Sequence, residues 1–210
     1  MIDTVIFDFD GTLADTNNLI LNSFKHIYCK YHGSKCDADY ILSTFGEPLE
    51  FTLRRDFSNF RYEDVLESYR DYQVGRFDKE VTLYDTVADT IKYLRKENIK
   101  IGIATSRIKS STLNALKSFD LDKYFQIIIS ADDVVNHKPD KEPLIKALQG
   151  LNSSIENALY VGDSKFDMEC AINAEVIPVL VGWQKHSDKL AQKYNISHVL
   201  NKMWDLTKII

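Results

Sequence analysis

Short apolar runs near residues 4–9, 99–105, 125–130, 157–162 and 176–181 alternate with longer stretches of helical spacing near 84–97, 109–119, 141–150, 164–174 and 187–195. Strand, helix, strand in repetition leaves few folds open. Parallel strands need crossover connections, and the crossover helices cover both faces of the sheet. A weaker last pair, His198-Val199-Leu200 and a terminal helix from Met203, closes the series. The rhythm breaks once. Residues 16–78 hold no convincing strand but four helical patterns, Leu19 to Tyr31, Tyr40 to Phe45, Leu49 to Phe57 and Tyr62 to Phe77, each spaced for one-sided burial. The expected fold class is α/β: a Rossmann-like parallel sheet core of residues 1–15 and 79–210, with an inserted all-helical cap lobe, 16–78, after the first strand. Such a cap would sit over the carboxyl ends of the strands, where open α/β sheets bind ligands.

Composition narrows the function. The chain is 44% apolar with 11 Phe and 11 Tyr, enough for a packed core. Its formal net charge is −5 and no Lys/Arg block stands out, which argues against a nucleic-acid partner. Neither 127–129 nor 176–181 is long enough to span a bilayer, so no membrane is expected. Cys29, Cys36 and Cys170 form no disulfide framework and no basic-then-apolar leader is visible, so the expectation is a cytoplasmic protein, monomer or homodimer. His26, Cys29, His32 and Cys36 offer soft metal ligands. The first three fall on successive turns of one helix and drift around its face, so an amphipathic helix is preferred to a zinc site.

Four motifs fall where predicted strands end. The first is Asp8-Phe9-Asp10-Gly11-Thr12, two aspartates that share a face while the chain stays extended, followed by a turn. Thr105-Ser106 follows the strand ending at Ala104, a hydroxyl and free amides that suit phosphate oxygens but also suit an ordinary helix cap. Lys138-Pro139 offers a cation beside a rigid residue. In Gly162-Asp163-Ser164-Lys165-Phe166-Asp167, two carboxylates stand one helical turn apart, an arrangement that suits Mg²⁺. Singly, each reads as well as a cap, a solvated lysine or a surface charge. Four such coincidences, in order, at four strand ends do not.

The set Asp8-x-Asp10-Gly11-Thr12, Thr105, Lys138-Pro139 and Gly162-Asp163-Ser164-x-x-Asp167 resembles the haloacid dehalogenase superfamily over essentially the whole chain. The cap resembles that of its phosphoglycolate phosphatase and β-phosphoglucomutase branch. Asp15-Thr16-Asn17, Leu19-Ile20 and Ser23-Phe24, with the overall length, look most like the PpaX-type pyrophosphatases of bacteria. The resemblance implies Asp8 as nucleophile and Asp10 as general acid, then base. It implies Thr105, the Ser106 amide and Gly11 around the phosphate, and Lys138 between nucleophile and phosphate. Asp8, the Asp10 carbonyl and Asp163 would hold Mg²⁺, with Asp167 a further ligand or a group orienting a metal-bound water. Three departures remove no catalytic group: Arg107 where many relatives carry lysine, Asp140-Lys141 after Lys138-Pro139, and Glu175 in place of a glycine. If that last position needs positive φ, Glu175 carries strain on the order of 1 kcal/mol.

Asp10 separates the reactions. Family members that cleave carbon–halogen bonds typically lack this aspartate; its presence implies an oxygen leaving group that must be protonated. The expectation is a Mg²⁺-dependent phosphatase acting on a small soluble phosphomonoester or pyrophosphate. The alternatives are a phosphomutase of the β-phosphoglucomutase type, which uses the same core, and a non-catalytic binding protein. Substrate choice is assigned to the cap: Glu47 in the turn Gly46-Glu47-Pro48-Leu49, and Arg54 and Arg55 reaching a second anionic group. Hinges for a lid motion are expected near Asp15-Thr16 and Asp78-Lys79.

Overall fold

The computed structural model describes residues 2–34 and 36–210. Six parallel strands form the main sheet: β1 (Thr4–Phe7), β4 (Lys100–Ala104), β5 (Ile127–Ile129), β6 (Ala158–Gly162), β7 (Ile177–Val181) and β8 (His198–Leu200), in the order β5-β4-β1-β6-β7-β8. β1 lies inside, its residues Thr4 to Phe7 paired with Lys100 to Ile103 on one side and Ala158 to Val161 on the other. Successive crossovers run outward from β1 to β5, then return to β6 on its other flank. The reversal places a crevice at the carboxyl end of β1, where open α/β sheets bind ligands.

Alternation of side chains along β1 sorts the two faces. Val5 and Phe7 join Ile101, Ile103, Leu159 and Val161 in one buried cluster, covered by α6 (Val87–Lys96), α7 (Lys109–Ser118) and the 3₁₀ turn Met203–Lys208. Ile6 points the other way, with Ala104 and Tyr160, under α8 (Glu142–Leu151) and α9 (Lys165–Asn173). α10 (Ser187–Tyr194) leads into β8. The α/β class read from the sequence is the one observed. The terminal helix expected from Met203 is the 3₁₀ turn.

Between β1 and α6 the chain makes a long helical excursion: α1 (Asn17–His32), α2 (Ala38–Ser43), α3 (Leu49–Asp56), α4 (Tyr62–Gln73) and α5 (Phe77–Glu80). Phe24, Ile27, Ile41, Leu53, Phe57, Val65 and Tyr69 bury a separate apolar cluster among the first four. The pattern read as one helix to Phe77 is two. Gly75, at φ +68°, takes a left-handed turn that no helix continues through, and α5 restarts beyond it. A two-residue antiparallel pair, β2 (Ala14–Asp15) with β3 (Thr82–Leu83), joins the outgoing and returning chain. His26 stacks on Tyr72 at 5.1 Å, His32 on Phe57 at 4.8 Å, and Cys29 is exposed. The helix is amphipathic, as expected, and its two histidines stack on aromatic rings. Among the described residues no helix is long and apolar enough to cross a membrane.

Candidate active site

Asp8 is the first residue past β1, and its N–H still donates to Val161 O at 2.9 Å, so the nucleophile candidate is pinned to the neighbouring strand. Its side chain is 5% exposed. Burial, only partly offset by Lys138, pushes the Asp8 carboxyl up to about 7. Lys138 Nζ lies 3.0 Å from Asp8 Oδ1 and 2.6 Å from Asp167 Oδ1. The first is a charge contact, and Oδ1 of Asp8 is a buried acceptor with no hydrogen-bond partner. Burial opposes the charge on Lys138, but Asp167 and Asp8 outweigh it and hold the ammonium above the usual lysine range.

Asp167 is not the surface charge one bland reading allowed. It is fully buried at the start of α9 and organises its surroundings. Its Oδ2 accepts from Ser164 N at 2.9 Å and Ser164 Oγ at 2.6 Å, and Ser164, not Asp163, caps the helix. Its Oδ1 takes Lys138 and lies 2.8 Å from the Tyr160 hydroxyl, which also reaches Ala104 O at 2.9 Å. Burial opposes the Asp167 charge, yet Lys138 and Ser164 keep its carboxyl below the usual range.

Asp163 accepts from Thr12 Oγ1 at 3.2 Å. Burial, and then the carboxylates of Asp167 and Asp8, push its carboxyl well above the usual range. Gly11 makes this approach possible: at φ +75°, a Cβ there would stand 2.3 Å from Asp163 Oδ2. Its own N–H is donated to Ala14 O at 2.9 Å, so Gly11 borders the site through close approach. Asp8, Asp163 and Asp167 each bring a carboxylate oxygen within 4.8 Å of the others. Three carboxylates against one ammonium, with an orphaned Asp8 oxygen among them, fit a divalent cation.

Asp10 and the β4 loop form the opposite wall. Thr105 is buried and its Oγ1 accepts from Arg107 N at 3.3 Å. Ser106 Oγ donates to Gly46 O at 2.7 Å, a direct link from the sheet to the helical layer. Gly46, at φ +91°, comes so close that a Cβ would lie 2.4 Å from Ser164 Oγ. Arg107, which in sequence is only a departure from the lysine of many relatives, has a place in the site. Its Nη1 donates to Asp10 Oδ1 at 2.8 Å and its guanidinium lies over the Phe9 ring, 5.2 Å from the centroid. An arginine two residues beyond the Thr105 strand end was the available signal.

A cavity of about 860 Å³ opens over these groups and is lined from both layers. Glu47 lines it, with its carboxylate held by Arg55 Nη1 at 3.1 Å and Thr52 Oγ1 at 2.7 Å. Arg54 and Arg55 do not line it, and the expectation that they reach a second anion is corrected. Arg54 is half exposed, paired with Glu50 at 2.6 Å, and Arg55 spends its donors on Glu47, Asp56 and Tyr40. The arginines in the lining are Arg70 of α4 and Arg107.

A parallel sheet reversing at β1, with a lysine-bridged acidic cluster at its carboxyl edge, is the architecture of one group of hydrolases. Residues 5–181 match the haloacid dehalogenase-like hydrolase family, and the chain belongs to it. A PpaX relative from Caldanaerobacter subterraneus subsp. tengcongensis is 39% identical over 209 residues, covering 100% of this chain and 94% of that one. The pyrophosphatase PpaX of Halalkalibacterium halodurans is 35% identical, covering 100% and 97%. Among solved structures, a haloacid dehalogenase-like protein from Bacteroides fragilis superposes over 100% of both chains with a TM-score of 0.87 at 27% identity.

Proposed function

We propose that this chain is a Mg²⁺-dependent phosphatase that hydrolyses a small soluble phosphomonoester or pyrophosphate through an aspartyl-phosphate on Asp8. It is a hydrolase of phosphoric esters or anhydrides, as its family and its PpaX relatives indicate. The observation that carries the finer reading is the buried Asp8 oxygen, beside Lys138 yet without a hydrogen-bond partner, on a residue lining a cavity large enough for a metabolite. An acceptor left bare in that position is an available nucleophile.

In this mechanism an Asp8 oxygen attacks phosphorus while the bond from phosphorus to the leaving oxygen breaks, and Asp10 gives that oxygen its proton. Asp10 then takes a proton from the water that attacks the aspartyl-phosphate, which returns Asp8 as carboxylate and releases inorganic phosphate. Thr105 and the Ser106 amide hold phosphate oxygens, and Lys138 stabilises the charge between Asp8 and the phosphoryl group. Asp8, Asp163 and the Asp10 carbonyl would hold Mg²⁺, which supplies positive charge where an anionic nucleophile meets an anionic substrate. Asp167, whose oxygens are already taken by Lys138, Tyr160 and Ser164, acts as the organiser of that set. Residues 1–15 and 79–210 act as the catalytic core and 16–78 as a cap that selects the leaving group, in a cytoplasmic protein.

The test is phosphate release from pyrophosphate, phosphoglycolate, hexose phosphates, nucleotides and an aryl phosphate, with and without Mg²⁺, alongside Asp8→Asn. Metal-dependent release lost in the variant supports the reading. Interconversion of hexose phosphates without phosphate release would replace it with the mutase.

Cation binding should also report on the acidic cluster. Asp8, near 7, and Asp163, well above the usual range, must both lose protons before a cation binds. Affinity therefore rises with pH. At pH 8, saturating Mg²⁺ is expected to add about 2 kcal/mol, or roughly 5 °C in Tm. At pH 6 the gain should fall below about half of that, because protons compete for the same oxygens. A Tm shift identical at both values would refute the assignment of those two carboxylates.

A further inference from the structure

The cavity is poor in cations. Asp8, Asp10, Glu47, Glu50, Asp78, Asp132 and Asp163 line it, against Arg70 and Arg107. Glu47 and Glu50 are neutralised from outside by Arg55 and Arg54, and a divalent cation would cover Asp8 and Asp163. Among the described residues, the two lining arginines are then the positive charges left for any other part of a substrate.

Arg107 is built for such a task. Its backbone is fixed, with Arg107 O accepting from Ala131 N at 2.8 Å and Arg107 N donating to Thr105 Oγ1. That places the side chain immediately beside the proposed phosphate cradle. The guanidinium lies over the Phe9 and Phe77 rings, which hold its plane without consuming its donors. Of its five N–H groups, Nη1 serves Asp10, Nη2 serves Ser111, and the buried Nε serves nothing. A guanidinium with donors to spare, next to the scissile position, matches a planar oxyanion. Ser110, Ser111 and Asn114 at the amino end of α7 line the same wall. Arg70 comes from α4, among the described residues without an ion-pair partner. Its neighbour Tyr69 lies within Coulomb reach of both Asp10 and Arg107, so this stretch of α4 overlooks the acid.

We propose that Arg107, assisted by Arg70, forms a second anion subsite that selects substrates whose leaving group itself carries a phosphate or carboxylate. This rests on the phosphatase reading of Asp8 and Asp10 and adds a substrate class to it. Pyrophosphate and a phosphorylated hydroxy acid share the required chemistry: a second anion next to the scissile phosphate. A sugar or glycerol phosphate presents a neutral hydroxyl-rich leaving group that leaves the subsite unmatched. Asp10 and the incoming anion would share one guanidinium, which draws the charged end of the substrate toward the acid that must reach its bridging oxygen.

The test measures kcat/KM for pyrophosphate, phosphoglycolate, glycerol phosphate and an aryl phosphate in wild type, Arg107→Met, Arg107→Lys and Arg70→Met. The readout is the ratio of each anionic substrate to glycerol phosphate. The wild-type ratio should exceed one. Arg107→Met should lower it about 100-fold, Arg107→Lys by about 10-fold, since a point charge keeps attraction but not the forked geometry, and Arg70→Met by about 10-fold. A drop for pyrophosphate alone assigns the subsite to phosphate; equal drops for both anions assign it to either group. A ratio unchanged in Arg107→Met, even with all rates depressed, would make the arginine a structural prop and overturn the proposal. Aryl phosphate turnover that survives Asp8→Asn would instead overturn the underlying phosphatase reading, so the two failures are distinguishable.

Discussion

Asp8→Asn is expected to lower phosphate release by about 10⁴-fold or more while making the metal-free protein more stable at pH 8. The two effects have one source. A carboxylate useful as a nucleophile is held here with its charge poorly compensated, so its pKa stands near 7 against an ordinary 3.8. That difference corresponds to on the order of 4 kcal/mol of destabilisation when the group is fully ionised. Asparagine removes the charge but leaves a polar amide to satisfy, so a net gain of about 1–3 kcal/mol is expected. The sign follows from the raised folded-state value. The penalty is present in full above pH 7 and fades as the pH falls from 7 toward 3.8, where folded and unfolded chains are both protonated. Thermal unfolding in chelator at pH 8 and pH 4.5 checks it: the variant's advantage should be large at the first and small at the second. A variant less stable than wild type at pH 8 would contradict the account.

Lys138→Met carries the second large effect, in the opposite direction on stability. Among the described residues the ammonium is the sole cation within ion-pair distance of Asp8 and Asp167, and both partners are buried. Methionine keeps most of the apolar stem and removes the charge, leaving two carboxylates facing each other. A loss of about 3–5 kcal/mol is expected, as for other buried pairs deprived of one partner. Activity should fall about 10³-fold or more, because charge on the phosphoryl group also goes unanswered. Adding Asp167→Asn should restore much of the stability but none of the activity, a non-additivity that separates the structural from the chemical role. Urea unfolding and phosphate release on the two single variants and the double one measure it. A Lys138→Met protein within about 1 kcal/mol of wild type would mean that Asp8 and Asp167 do not depend on it.

The sheet was legible because parallel strands announce themselves twice, once by buried apolar runs and once by the amphipathic crossovers between them. Strand positions fall within two or three residues of those expected, and Glu175 does adopt positive φ, at 58°. The β2–β3 pair was invisible, since two residues per strand establish no period. At the site, the residue types and their order located the acidic cluster, but three things stayed hidden. Tyr160 reads in sequence as one more apolar strand position, yet its hydroxyl lies between Ala104, Lys138 and Asp167. Arg107 looked interchangeable with lysine because nothing in a linear reading places it on Asp10. Arg54 and Arg55 were chosen for their charge, and a sequence does not say which acids will claim a charge first. Glu50 and Glu47, on the same short stretch, do so here.

The short β2–β3 ladder has an outcome for how the molecule could be rebuilt. Ala14 faces Leu83 and Asp15 faces Thr82, so the chain leaves the sheet layer and re-enters it at one spot, with 66 residues between Asp15 and Thr82. Closing a loop whose ends already touch depends only weakly on what the loop contains. The excursion is therefore a candidate for exchange: replaced by a two-residue hairpin turn, or by a lid from another member of the family, it is expected to leave strand pairing in the main sheet undisturbed. What would change is admission. A single ladder at the threshold would let the helical share of substrate choice, Arg70 included, be rewritten in one contiguous stretch of gene without touching Asp8, Asp10 or Arg107.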